Sequence, residues 1–222
     1  RLSFTDAVQE LAKRAGIPLE RNSRLTRNQN ADEEMGLQCL REAASFYMEK
    51  IQGEEGKYAS EYLQQRKVSG KMCERFQIGL SPDKWDETFK NLTQKKIPQS
   101  VIARTGLIKS SEKSGRFYDT FRGRLMFPIK DPRGRCIGFG ARSLKTGDKP
   151  KYLNSPETAY YSKSRTLYGL HEGLDEIRKK SRIIFVEGYL DVIRLHENGF
   201  TETVAPCGTA LTAEHLKIVH RY

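Results

Sequence analysis

Ile183-Ile184-Phe185-Val186 is a short uninterrupted apolar run closed by Glu187 and Gly188. A run this short, with no polar alternation, suits a strand buried on both faces of a parallel sheet. Leu190, Ile193 and Leu195 then recur at helical spacing until Asn198-Gly199, and Thr203-Val204-Ala205 reads as a second strand. Strand, helix and strand within about 25 residues make a compact βαβ unit, whose crossover should be right-handed. Pro206-Cys207-Gly208-Thr209-Ala210 is the loop that follows, and Thr212 can cap a last helix. Few other patterns restrict a chain so strongly.

The upstream half has a different period. Ser3 and Asp6 resemble a capping box, and Phe4, Val8, Leu11 and Ala15 share one helical face up to Gly16. Arg21 to Asp32 is polar and reads as a linker. Leu40, Ala43, Ala44, Tyr47 and Ile51 predict a longer helix, broken by Gly53 and Gly56 before a stripe of Ala59, Tyr62 and Leu63. Asp83 can cap a helix carrying Trp85, Phe89 and Leu92, and Pro98 suits the start of one carrying Val101 and Ile102 and ending at Gly106.

Beyond Gly106, Arg124-Leu125-Met126-Phe127-Pro128-Ile129 and Cys136-Ile137-Gly138-Phe139 flank Asp131-Pro132-Arg133-Gly134, which predicts an antiparallel hairpin. The expected architecture is therefore a mixed α+β and α/β fold. Residues 1–180 form one part, mostly helical over 1–105 and a basic mixed sheet over 106–180, and residues 181–222 open a Rossmann-like module.

Charge is concentrated in one stretch. The 222 residues carry a formal charge of +11, and residues 109–170 hold fourteen Lys or Arg against five Asp or Glu. Tyr118, Phe121, Phe127, Phe139, Tyr152, Tyr160 and Tyr161 interleave with those cations, as suits a surface that contacts phosphates and stacks bases. A solvated face over an aromatic core is the other reading of the same residues. No stretch reaches the roughly 18 apolar residues of a membrane span, and residues 1–30 hold no signal-peptide core. Cys39, Cys73, Cys136 and Cys207 stand far apart without a CxxC pair, which argues for reduced thiols and against a zinc site.

Sites in open α/β sheets lie beyond the carboxyl ends of the strands. Glu187 is at such an end and Asp191 falls in the first turn of the next helix. Two carboxylates there can hold Mg²⁺, which takes a few oxygen ligands plus substrate phosphates. The bland alternative is that Asp191 complements the helix dipole and Glu187 accepts neighbouring N–H groups.

Taken together, these words resemble one family. Glu187-Gly188-Tyr189-Leu190-Asp191 is similar to the EGYxD signature opening the TOPRIM module of DnaG-type bacterial primases. Arg122-Gly123-Arg124-Leu125-Met126-Phe127-Pro128-Ile129 resembles the RxRxMFPI block. Gly138-Phe139-Gly140-Ala141-Arg142 resembles GFGGR with Ala for one Gly. Residues 151–158 are the KYLNSPET block unchanged, and Lys163-Ser164-Arg165 with Leu167-Tyr168-Gly169-Leu170 is similar to KGRxLYGL. Ala59 to Trp85 resembles a further stretch, with Lys67 where Gly is usual.

The resemblance implies a DNA-directed RNA polymerase that makes short RNA primers on single-stranded DNA from ribonucleoside triphosphates, with Mg²⁺ or, as a substitute, Mn²⁺. It implies that Glu187, supported by Asp191, binds metal or handles a proton. It places Arg66, Arg122, Arg124, Arg142, Lys151, Tyr152, Asn154 and Lys163 against template or nucleotide phosphates. The family's Asp-x-Asp pair and its zinc-binding N-terminal module are not found between Arg1 and Tyr222. A fragment with an incomplete metal site and no zinc is thus expected, monomeric and inactive alone. Cytoplasmic work is expected, with contacts to replicative helicase and single-strand-binding protein made through other regions. The rivals are a non-catalytic single-strand-binding module and another TOPRIM enzyme.

Overall fold

The computed structural model describes residues 11–12, 23–112 and 114–222. The predicted first helix, with its Ser3–Asp6 box, lies outside the described residues except for Leu11 and Ala12, which are helical. The chain divides into two compact units, Arg1–Glu34 and Met35–Tyr222. The second carries every sheet and every candidate site residue described below.

Helix α1 spans Ser23–Gln52. Over residues 23–32 it overturns the reading of Arg21 to Asp32 as a linker. Residues 23–35 contain no Gly or Pro, and Arg, Gln and Glu favour helix without any apolar stripe to announce it. Cys39, Leu40, Ala43 and Tyr47 form its buried face. Helices α2 (Lys57–Gln65) and α3 (Gly70–Arg75) follow, the second capped by the Ser69 side chain, which accepts from Met72 N.

Strand β1 (Gly79–Leu80) precedes helix α4 (Glu87–Gln94). Asp83 does not cap α4. Its carboxylate pairs with Lys145, and the cap comes from Asp119, whose two oxygens accept Thr88 N at 2.7 Å and Phe89 N at 3.0 Å. Helix α5 (Gln99–Arg104) starts after Pro98, and β2 (Ile108–Ser110) pairs with β3 (Phe117–Asp119).

The predicted hairpin forms as β4 (Arg124–Lys130) and β5 (Cys136–Ser143). With β6 (Tyr152–Asn154) they make an antiparallel sheet in the order β1-β4-β5-β6. Successive side chains point to opposite faces. Leu125, Phe127 and Ile129 therefore pack with Phe76, Tyr168 and Tyr189, while Met126, Phe139 and Ala141 pack with Leu40, Tyr47 and Ile102. All of β5 and six of the seven residues of β4 are buried.

The last part holds β7 (Leu167–Tyr168), α6 (Leu170–Lys180), β8 (Ile184–Phe185), α7 (Tyr189–Glu197), β9 (Thr203–Pro206) and α8 (Ala213–Val219). Its sheet runs β7-β9-β8, with β8 parallel to β9, which is the predicted βαβ unit. Thr212 caps α8 in a full capping box with His215.

Candidate nucleic-acid interface and acidic strand end

Glu187 stands two residues after the end of β8, and both it and Asp191 are exposed. Gly188 lies between them as the N-cap of α7, and a Cβ there would stand 3.0 Å from Asp191 Oδ2. The Asp191 carboxylate thus folds back over the helix start, and a side chain at position 188 would make it shift by a few tenths of an ångström. Two exposed oxygen donors at a strand end have the chemistry a hard cation takes.

The next residue ties this end to the basic sheet. Tyr189 stacks on Phe127 at 5.4 Å and meets Tyr168 at 4.7 Å. Its hydroxyl donates to Asn154 Oδ1 at 2.6 Å, and Asn154 Nδ2 donates to the Cys207 carbonyl at 2.9 Å. Gly140 and Gly208 make this joint possible. A Cβ at Gly140 would fall 2.3 Å from the Tyr189 ring, and one at Gly208, whose φ is +74°, the same distance from Asn154 Nδ2. Asn154 therefore uses both ends of its amide to join β6 to the α7 start and to the loop after β9.

The predicted cations separate into two kinds. Arg124 is buried, with its guanidinium bonded to the Pro150 carbonyl at 2.8 Å and to Asp148 at 3.1 Å, so it holds the β5–β6 connection. Arg142 is also buried, its guanidinium 4.6 Å from the Tyr62 ring and 5.5 Å from the Tyr152 ring. Tyr152 is opposite it in the ladder and half exposed. Arg66 is exposed, with its guanidinium 5.3 Å from the same Tyr62 ring. Lys151 is exposed beside Tyr152, and Lys163 is partly exposed on a short 3₁₀ turn, Lys163–Arg165.

Arg122 belongs to a second cluster. Its guanidinium lies 4.5 Å from the Trp85 ring and 5.5 Å from that of Tyr118, and it donates to the Asp119 carbonyl. Trp85 is 68% exposed, and beside it a hollow of about 700 Å³ is lined by residues including Ser110, Ser111, Arg116 and Tyr118.

The family model for the DNA primase catalytic core, N-terminal domain, matches residues 46–174, and the Toprim domain model matches residues 181–222. The chain belongs to the DnaG-type DNA primase catalytic core family. DNA primases of Pseudomonas putida and Deinococcus radiodurans are 41% and 39% identical to it over 99% of its length, which is 34% and 37% of theirs. The chain thus spans about a third of these curated relatives. Among solved structures, the RNA polymerase domain of Mycobacterium tuberculosis primase DnaG in complex with a double-stranded DNA oligomer with a 6-nucleotide overhang is similar at TM-score 0.81 and 35% identity, over 85% of this chain and 59% of that one. A DnaG primase catalytic domain bound to single-stranded DNA matches at TM-score 0.80 and 38% identity, over 86% of this chain and 59% of that one. The zinc-binding and RNA polymerase domains of the Aquifex aeolicus primase match at 0.79 and 33%, over 100% and 52%.

In this primase core the sequence reading missed the pairing of Trp85 with Arg122 and of Tyr62 with Arg142. Trp85 had a local signal, since a Trp between Lys84 and Asp86 stands in polar company. Tyr62 had none, because its place in an apolar helical stripe reads as core. Among the described residues no helix is long and apolar enough to cross a membrane.

Proposed function

We propose that this chain supplies the template-holding sheet and the first acidic residues of the metal site of a primase that makes RNA primers on single-stranded DNA. The observation that carries the reading is the 2.6 Å Tyr189–Asn154 bond, which fixes the start of α7, two residues from Glu187, to the edge strand of the basic sheet. Cations that can hold phosphates and carboxylates that can hold a metal are thereby linked through one hydrogen-bonded contact.

In this reading Glu187 and Asp191 would hold Mg²⁺, which when bound neutralises phosphate charge and stabilises the attacking and leaving oxygens. Lys151 and Lys163 act as point charges toward phosphates. Arg142, set between Tyr62 and Tyr152, keeps the exposed Tyr152 ring oriented beside Lys151. Trp85, backed by Arg122, offers a face on which a base can stack. Arg124 and Asn154 act through the backbone they hold.

The test is ribonucleotide incorporation on a single-stranded template with Mg²⁺, using a protein of the relatives' length that carries these residues. Glu187→Gln is expected to abolish incorporation while leaving template affinity within about twofold. Retained incorporation would remove Glu187 from the chemistry. Salt-sensitive DNA binding with no incorporation by the unsubstituted protein would favour a binding module instead.

A further inference from the structure

The turn that carries Lys163 is gripped from several sides by groups that none of the assignments above uses. Lys163 N donates to Glu157 Oε1 at 2.9 Å. On the other side, the Lys163 carbonyl lies 2.9 Å from His215 Nε2, and the Ser164 carbonyl accepts from Thr212 Oγ1 at 2.9 Å. Arg165 and Glu214 pair at 3.8 Å. The turn in the 106–180 region is thus clamped onto the first turn of α8.

His215 is the centre of that clamp. It is fully buried, and its two ring nitrogens have different work. Thr212 N–H donates to Nδ1 at 3.1 Å, so Nδ1 is the acceptor nitrogen. The proton is then on Nε2, which donates to the Lys163 carbonyl. An ordinary capping box has Glu or Gln at this position, and capping alone needs only the acceptor. The second bond of His215 leaves α8 and reaches the backbone of a candidate phosphate-binding lysine.

We infer that His215 is a positioning residue: it sets the Lys163 turn, and through it the Lys163 ammonium, for contact with a phosphate of nucleic acid or of a nucleoside triphosphate. This rests on the reading of Lys163 as a phosphate contact, and the experiment separates the two. Two substitutions of His215 and one of Lys163 divide the roles. Gln keeps one acceptor and one donor. Glu keeps the capping acceptor but turns an oxygen toward the Lys163 carbonyl. Lys163→Ala removes the charge being placed.

Affinity is measured for a single-stranded DNA oligonucleotide over a range of salt and, in parallel, for ATP with Mg²⁺, with thermal unfolding of each variant recorded. Lys163→Ala is expected to weaken one of the two ligands by about threefold. If that ligand is DNA, the salt slope falls by about 0.7, the share of one single-strand phosphate contact. His215→Glu is expected to give the same loss on the same ligand, His215→Gln to stay within about 1.5-fold of the parent, and His215→Glu in the K163A background to add almost nothing. A His215→Glu loss that is equally large with and without Lys163, or no loss at all, overturns the inference and leaves Lys163 in place. Lys163→Ala silent toward both ligands overturns the assignment of Lys163, and the inference with it.

Discussion

Asp119 and Glu202 are fully buried carboxylates at the ends of strands, one beside the basic sheet and one in the Toprim part, and their surroundings push them in opposite directions. Asp119 has only neutral donors, the Thr88 and Phe89 amides and the Thr88 hydroxyl, and burial drives its carboxyl up to about 6 in spite of them. Glu202 has Arg182, and Lys180 at 2.9 Å, and its carboxyl falls to about 2. The first region closes around an apolar sandwich and tolerates a poorly compensated acid. The second, whose strand β8 is only half-buried, ties α6 and β8 to β9 with charges. One region coheres by burial and the other adds an ion-pair clasp.

The largest effect should come from the sandwich. Phe139 is fully buried between Tyr47 and Phe121. Phe139→Ala is expected to lower stability by about 3–5 kcal/mol in urea unfolding, the usual range for a large core truncation. A loss below about 1 kcal/mol would mean that burial is not what holds the first region.

The clasp should show next, as a pH effect. A carboxyl lowered in the folded state stabilises above its unfolded value, near 4.5, and that stabilisation disappears as pH falls toward about 2. Glu202→Gln should therefore melt well below the parent at pH 6, and the two melting temperatures should converge near pH 2. Curves that stay parallel over that window would leave the charges without a role.

Asp119 predicts the reverse slope. Its carboxyl is raised, so between about 4 and 6 the folded state holds more protons and stability declines as pH rises. Asp119→Asn should flatten that decline, while Asp119→Ala should cost about 1–2 kcal/mol by uncapping α4. Melting temperatures from pH 4 to 7 measure both.

These acids also mark where the sequence was readable. The hairpin of β4 and β5 and the βαβ unit were legible because their apolar runs are bounded by local turn residues such as Asp131, whose side chain accepts from Arg133 N and Arg135 N. The α4 cap was not, since its acceptor, Asp119, comes from 31 residues away. The start of α1 was hidden because a polar helix has no stripe. At the candidate site, Glu187 and Asp191 lie after a strand and in the first turn of the next helix, where the sequence pattern put them. The division among the cations was not legible. Whether an Arg faces a ligand or, like Arg124, holds a carbonyl depends on a loop whose path no local pattern records.

The smallest predicted effect tests the joint between the regions. Tyr189→Phe keeps the ring on Phe127 and removes only the hydroxyl bonded to Asn154. One net hydrogen bond, with Asn154 Oδ1 left short of a donor, amounts to about 1 kcal/mol. Its consequence should be local, because the ring contacts survive. If the joint sets the acidic end against the basic sheet, Tyr189→Phe and Asn154→Ala must couple, and the double variant should lose less than the sum of the singles. Additive losses would mean that Tyr189 holds the two regions together by its ring alone, and that burial rather than a polar link governs this boundary as it governs the first region.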